Sequence, residues 1–239
     1  MCIAVYLPKK KTIDAETLYN CYISNPDGMG FAYWDENNNL IVRKFVGQEK
    51  IMLGIEEFLM TRERYIKKQM LIHFRIASHG KISKKTCHPF IVNKDTVFCH
   101  NGILSEFSKQ LSLDSKISDT MLFNQKVLKK LPPNFINQPL YKKMLEEMIG
   151  SYNKMIIMES DGRHWILNEE QGEWSDGIWF SNDSYKPYEY SPGWDCSTIL
   201  KPHVPFYKRA FSFCKKFITR FPEIKEAIEM VLEGEEDVY

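Results

Sequence analysis

Short apolar runs alternate along the chain with charged and turn-forming stretches, and their spacing predicts the elements. Residues 2–7 (Cys-Ile-Ala-Val-Tyr-Leu) form a β-rich apolar run without a turn residue, which predicts a strand buried from its first residue. Pro8 and Lys9-Lys10-Lys11 mark a solvated turn. Apolar side chains at 15, 18, 19 and 22 recur at helical spacing behind Asp14, a capping residue, so a helix is predicted over 14–23. Asn25-Pro26-Asp27-Gly28 has the chemistry of a type I turn. Strands follow at about 29–35 and 40–46, joined by Asn37-Asn38-Asn39, and then a helix over 48–60. Residues 69–77 are nearly all apolar, the mark of a strand buried on both faces. Further strands are predicted at 90–93, 96–100, 153–159, 163–168 and 178–181, and helices at 105–112, 119–131 and 139–149, the last two separated by Pro132-Pro133. The stretch 183–205 reads as irregular, and 206–233 as helical with a break at Phe221-Pro222. Strands and helices come in groups without a βαβ rhythm, so the class is α+β, and face-to-face sheets with helices outside fit it.

Composition narrows the picture without pointing to chemistry. The 239 residues are 44% hydrophobic and 26% charged, an ordinary globular balance. A net charge of +1 gives no bulk attraction to nucleic acid or to a membrane surface. No apolar run approaches the ~18 residues of a membrane span. The N-terminus lacks the order of a secretory signal, and the six cysteines (2, 21, 87, 99, 196 and 214) lack compact disulfide spacing. A reducing, cytoplasmic setting is the expectation, and it suits a thiol nucleophile.

Four stretches carry candidate chemistry. Cys2 follows the initiator Met, and its small side chain permits Met1 removal. The exposed α-amine would then titrate near ~7.7–8.0 beside a thiol near ~8.5, so nucleophile and base would sit on one residue. His73-Phe-Arg75-Ile-Ala-Ser78-His79-Gly80 ends the buried strand. Its Arg75 is either a buried ion-pair member or a two-pronged fork for a carboxylate ligand. Cys99-His100-Asn101-Gly102 is either a turn or, with the Asn amide beside a Gly N–H, a two-donor oxyanion hole. Ser118-Asp119-Thr120 opens a helix; Ser118 is a plain cap, while Asp119 either favours the helix dipole or grips an ammonium.

Taken together, these stretches resemble the glutaminase domain of class II glutamine amidotransferases, members of the N-terminal nucleophile (Ntn) hydrolases. The shared pattern is an N-terminal Cys, H-x-R-x-A-T/S-x-G, H-N-G and S-D-T, with Asp27-Gly28-Met29-Gly30 similar to a D-G-x-G segment. The likeness covers about residues 2–182, ending on a weaker echo at Phe180-Ser181-Asn182. Ser78 stands where many members have Thr, Ile76 where several have Trp, and Met121 where Glu is common. The resemblance implies a four-layer αββα sandwich, with the chain as a single domain of residues 1–239 and an extension from about 183 to 239. It also implies roles. Cys2 attacks the amide of L-glutamine. Asn101 and Gly102 hold the oxyanion. Arg75 and Asp119 bind the α-carboxylate and α-ammonium, with Ser78 and His79 as further substrate contacts. No cofactor or metal is implied.

Other readings compete. Cys87-His88 and Cys99-His100 could be metal ligands, but neighbours on a strand point to opposite faces, and the spacing is not that of a zinc module. Another Ntn hydrolase acting on a different linear amide, or a binding module that keeps the fold, are the alternatives. Phe206, Ala210, Phe213, Phe217 and Phe221 form a helical stripe among basic residues, suited to packing on the domain or to docking a partner. No phosphate-binding loop or pyrophosphate-type motif follows residue 182, which leaves three readings: a separate ammonia-accepting synthase as partner, a plain glutaminase, or a different amide substrate.

Overall fold

The computed structural model describes residues 2–77, 82–112 and 115–187. In chain order its elements are β1 (Ile3–Leu7), α1 (Ala15–Ser24), β2 (Gly28–Trp34), β3 (Leu40–Phe45), α2 (Gln48–Arg64), β4 (Met70–Arg75), β5 (Phe90–Asn93), β6 (Thr96–Asn101), α3 (Ser105–Ser108), α4 (Asp119–Lys126), α5 (Pro139–Ile149), β7 (Lys154–Glu159), β8 (His164–Leu167), β9 (Glu173–Ser175) and β10 (Ile178–Phe180). The strands make two antiparallel sheets, ordered β3-β2-β4-β1-β10-β9 and β5-β6-β7-β8.

Side-chain alternation explains the layering. Ile3, Val5 and Leu7 of β1 turn to one face, where Phe31, Ile72 and Phe74 meet Leu18 and Tyr22 of α1 and Ile51, Ile55 and Phe58 of α2. Ala4 and Tyr6 turn to the other face and pack with Leu71 and Trp179 against Val97, Cys99, Ile156 and Met158 of the second sheet. That sheet sends Phe98, Met155 and Ile157 outward onto Phe123 of α4 and onto Leu145 and Ile149 of α5. The described residues are therefore a four-layer αββα sandwich, as the resemblance implies. Each fully buried large apolar side chain contributes about 1.5–3 kcal/mol.

Local chemistry sets the element ends. Asp14 caps α1 by accepting from the Thr17 N–H at 2.7 Å. Arg62, buried at the end of α2, donates to the carbonyls of Pro8, Lys11 and Lys68, tying that helix to the turn after β1. Burial draws its pKa down to about 10.

The elements differ from the predicted ones in a few places. The first strand begins at Ile3, leaving Cys2 half-buried just outside it. The strand predicted at 69–77 ends at Arg75. The helix predicted at 105–112 is one turn, Ser105–Ser108. The helix predicted at 119–131 stops at Lys126 and passes into a tighter 3-10 turn at Leu128–Lys130. The short strand β9 had no sequence signal. Ser78, His79 and the helical reading of 206–233 lie outside the described residues.

Candidate active site

Cys2 enters at the middle of the larger sheet. The β1–β4 register pairs Ile3 with Phe74, and one step further brings Cys2 beside Arg75. Its Sγ lies 3.4 Å from the Ile76 carbonyl. Two residues far along the chain hold this end. Ser181 Oγ accepts the Ala4 N–H at 2.9 Å, the Ser181 N–H returns to the Ala4 carbonyl at 2.9 Å, and Asn182 Nδ2 reaches the Cys2 carbonyl at 2.8 Å. Desolvation raises the Cys2 thiol pKa, while the Ile76 backbone and the Arg75 charge pull it the other way. A thiol held up in this way needs a base to become a nucleophile.

Arg75 is 6% exposed and donates from Nη1 to Thr86 Oγ1 at 3.0 Å. Asp27 braces the same corner: its N–H donates to the Arg75 carbonyl at 2.9 Å, and its carboxylate accepts the Ala77 N–H at 2.6 Å. The two glycines of the Asp27–Gly30 segment have steric reasons. A Cβ on Gly28 would come within 2.9 Å of Cys87 Sγ, and one on Gly30 would overlap the His88 carbonyl.

Alternation along β6 separates the His-Asn pair. Val97 and Cys99 face the first sheet, so Asn101 faces it too, while His100 faces the outer helices. Asn101 is fully buried, with Nδ2 donating to Ser181 Oγ at 2.8 Å and Oδ1 buried without a hydrogen-bond partner. Ser181 thus receives two donors. Turning the Asn101 amide over would let the Ser181 hydroxyl donate to Oδ1 and would release the NH₂ for another acceptor. Gly102 follows at φ +141°, and a Cβ there would overlap Asn153 Oδ1, so only glycine fits.

Asp119 is the first residue of α4, behind the Ser118 cap, whose Oγ accepts the Met121 N–H at 3.2 Å. Its Oδ2 accepts the Leu104 N–H at 2.7 Å and its Oδ1 the Thr120 N–H at 2.8 Å. The helix dipole favours the anion at this position. Cys2, Arg75, Gly102 and Asp119, predicted from four separate stretches, all line one cavity of about 330 Å³. Asn101 is not among its lining residues and sits beneath it, between Gly102 and Ser181.

Of three clustered buried histidines, His88 and His100 line the cavity. The His73 and His88 rings lie 4.2 Å apart and those of His88 and His100 6.4 Å apart. Burial holds all three neutral, drawing His73 down to about 3. Both His88 nitrogens lack a hydrogen-bond partner. The Cys-His pairs do not converge: Cys99 lies in the inter-sheet core, and His100 points to α4. Sequence reasoning missed Thr86, Asn153, Ser181 and Asn182 as site supports. Only the Phe180-Ser181-Asn182 echo hinted at any of them.

A sequence model of the family described as "Glutamine amidotransferases class-II" matches residues 17–166. That is more than half of the chain, and the chain belongs to the class II glutamine amidotransferases. The matched stretch includes Arg75, Asn101, Gly102 and Asp119; Cys2 and Ser181 lie outside it. No curated protein matches the sequence. Among solved structures, the chain is similar to the glutamine phosphoribosylpyrophosphate (PRPP) amidotransferase from B. subtilis, complexed with ADP and GMP. The identity is 17% and the TM-score 0.47, over 75% of this chain and 41% of that one. The chain thus spans about two fifths of that protein's length.

Proposed function

We propose that the protein hydrolyses the side-chain amide of L-glutamine with Cys2 as an N-terminal nucleophile. One observation carries the reading: Cys2, Arg75, Gly102 and Asp119, from separate stretches of the chain, line one cavity. One cation and one anion suit the head group of a free amino acid, and each charge-assisted contact is worth about 1.5–3 kcal/mol. Arg75 takes the α-carboxylate and Asp119 the α-ammonium, with Ser78 and His79 as further substrate contacts.

After Met1 is removed, the Cys2 α-amine takes the thiol proton, and sulfur attacks the amide carbon. Asn101 Nδ2, once its amide has turned over from Ser181, and the Gly102 N–H stabilise the oxyanion. The amine then passes the proton to the leaving nitrogen, and ammonia departs from a thioester. The amine next deprotonates a water, which attacks the thioester and releases glutamate and the free thiol. The ammonia goes to a separate acceptor synthase in a cytoplasmic setting. The core at about 2–182 holds every proposed catalytic group, with 183–239 as an extension of the same domain.

The test is incubation with a glutamine-analogue alkylator, followed by intact-mass and peptide mass spectrometry. A single adduct on Cys2, in chains lacking Met1, is the expected result. A labelled residue elsewhere, or full activity in chains that all keep Met1, overturns the mechanism. Comparing kcat/KM for free, N-acetylated and C-amidated glutamine tests the head-group roles. Equal turnover of all three would point to a hydrolase for another linear amide. Saturable binding without turnover would point to a binding module.

A further inference from the structure

His100 and Thr120 belong to the two motifs that supply Gly102 and Asp119, yet neither has a role in the chemistry above. His100 is 2% exposed, and its ring turns away from the inter-sheet core toward α4. Its Nε2 lies 2.9 Å from Asn153 Oδ1, and its Nδ1 lies 3.0 Å from Thr120 Oγ1. Asn153 settles the proton's place. Its Nδ2 donates to the Ile149 carbonyl at 2.6 Å, so its Oδ1 is the atom facing the ring and can only accept. The proton therefore sits on Nε2, and Nδ1 offers a lone pair to the Thr120 hydroxyl. The competing acceptor for that hydroxyl, Asp119 Oδ1, is 3.4 Å away, beyond the usual range for O–H···O.

Thr120 is also tied to Asp119 through its backbone N–H, and Asp119 reaches from there to Leu104 in the loop after Gly102. Asn153 Oδ1 lies directly under Gly102, where a Cβ would be. A single line of contacts thus runs from the end of α5 through Asn153, His100 and Thr120, touching both the oxyanion turn and the candidate ammonium-binding carboxylate.

We infer that His100, fixed as the Nε2–H tautomer by Asn153, is a positioning residue that orients Asp119 through the Thr120 hydroxyl and so favours substrates with a free α-ammonium. The inference rests on the glutaminase reading of Asp119. The experiment compares Thr120→Val, which keeps shape and removes the hydroxyl, with Thr120→Ser, which keeps the hydroxyl. Thr120→Val raises KM for free glutamine about five- to tenfold, the size of one neutral hydrogen bond, with kcat little changed. Thr120→Ser stays near wild type. N-acetylglutamine, which lacks the ammonium, is turned over equally by all three proteins. In an Asp119→Ala background, Thr120→Val adds nothing further.

A Thr120→Val variant that loses kcat alone, weakens both substrates equally, or adds in full to Asp119→Ala overturns the inference. The ¹⁵N shifts of His100 in the folded wild type provide a check that needs no variant; an Nδ1–H tautomer also overturns it. Wild-type turnover with an indifferent Thr120→Val removes this inference alone, whereas absence of glutamine turnover by the wild type removes the proposed function as well.

Discussion

Single atoms separate the proposed chemistry from mere architecture. Asn101 has its NH₂ on Ser181 and an unpartnered Oδ1, so its worth as an oxyanion donor depends on which way the amide faces. Asn101→Ala is expected to lower kcat by roughly 10²–10³ with little change in KM, because the donor matters in the transition state. Unchanged steady-state kinetics would reduce Asn101-Gly102 to a turn. Gly102→Ala acts differently. Its Cβ meets Asn153 Oδ1 at a backbone φ of +141°, so a stability loss of about 2–6 kcal/mol is expected in urea denaturation. The candidate residues were legible because each motif is short and contiguous. Their supports were not: Ser181 meets Ala4 and Asn101 across 177 and 80 positions, and such contacts leave no local pattern.

The elements follow the apolar pattern wherever a face is buried and depart from it where none is. β4 is buried at every position and was plain from its composition. α3 buries none of its residues, so nothing holds a second turn onto the domain, and the predicted helix shrinks to one. α4 gives way to 3-10 geometry ahead of Pro132-Pro133, whose rings exclude a continuing helix. β9 has one large apolar residue, Trp174, 46% exposed, and exists because β10 offers it an edge. β10 in turn delivers Ser181 to β1. Ser181→Ala removes the acceptor for the Ala4 N–H and the Asn101 amide, leaving two buried donors, at an expected cost of about 1–3 kcal/mol for each. Urea titration measures that loss, and the reduced activity of the same variant would report how firmly Cys2 is held.

For the molecule as a whole, the neutral buried histidines His73, His88 and His100 make folding sensitive to pH. Their folded pKa values lie below the ~6.5 of an unfolded chain, with His73 at about 3. The unfolded state therefore binds more protons below pH ~6.5. The stability these groups confer is complete above that pH and declines as the pH falls toward the folded values, by up to about 1.4 kcal/mol per pH unit for each histidine. Urea midpoints at pH 7.5, 6.5 and 5.5 test this above the range where most carboxylates titrate. A flat series would contradict the burial of these rings. The central position of β1, hydrogen-bonded to β4 on one side and β10 on the other, has a practical consequence. Cys2 lines the cavity and its α-amine is the proposed base, so an affinity tag spliced directly ahead of it would act as a plug. Purified with such a tag, the protein should be folded and silent, and a protease cutting directly before Cys2 should switch it on.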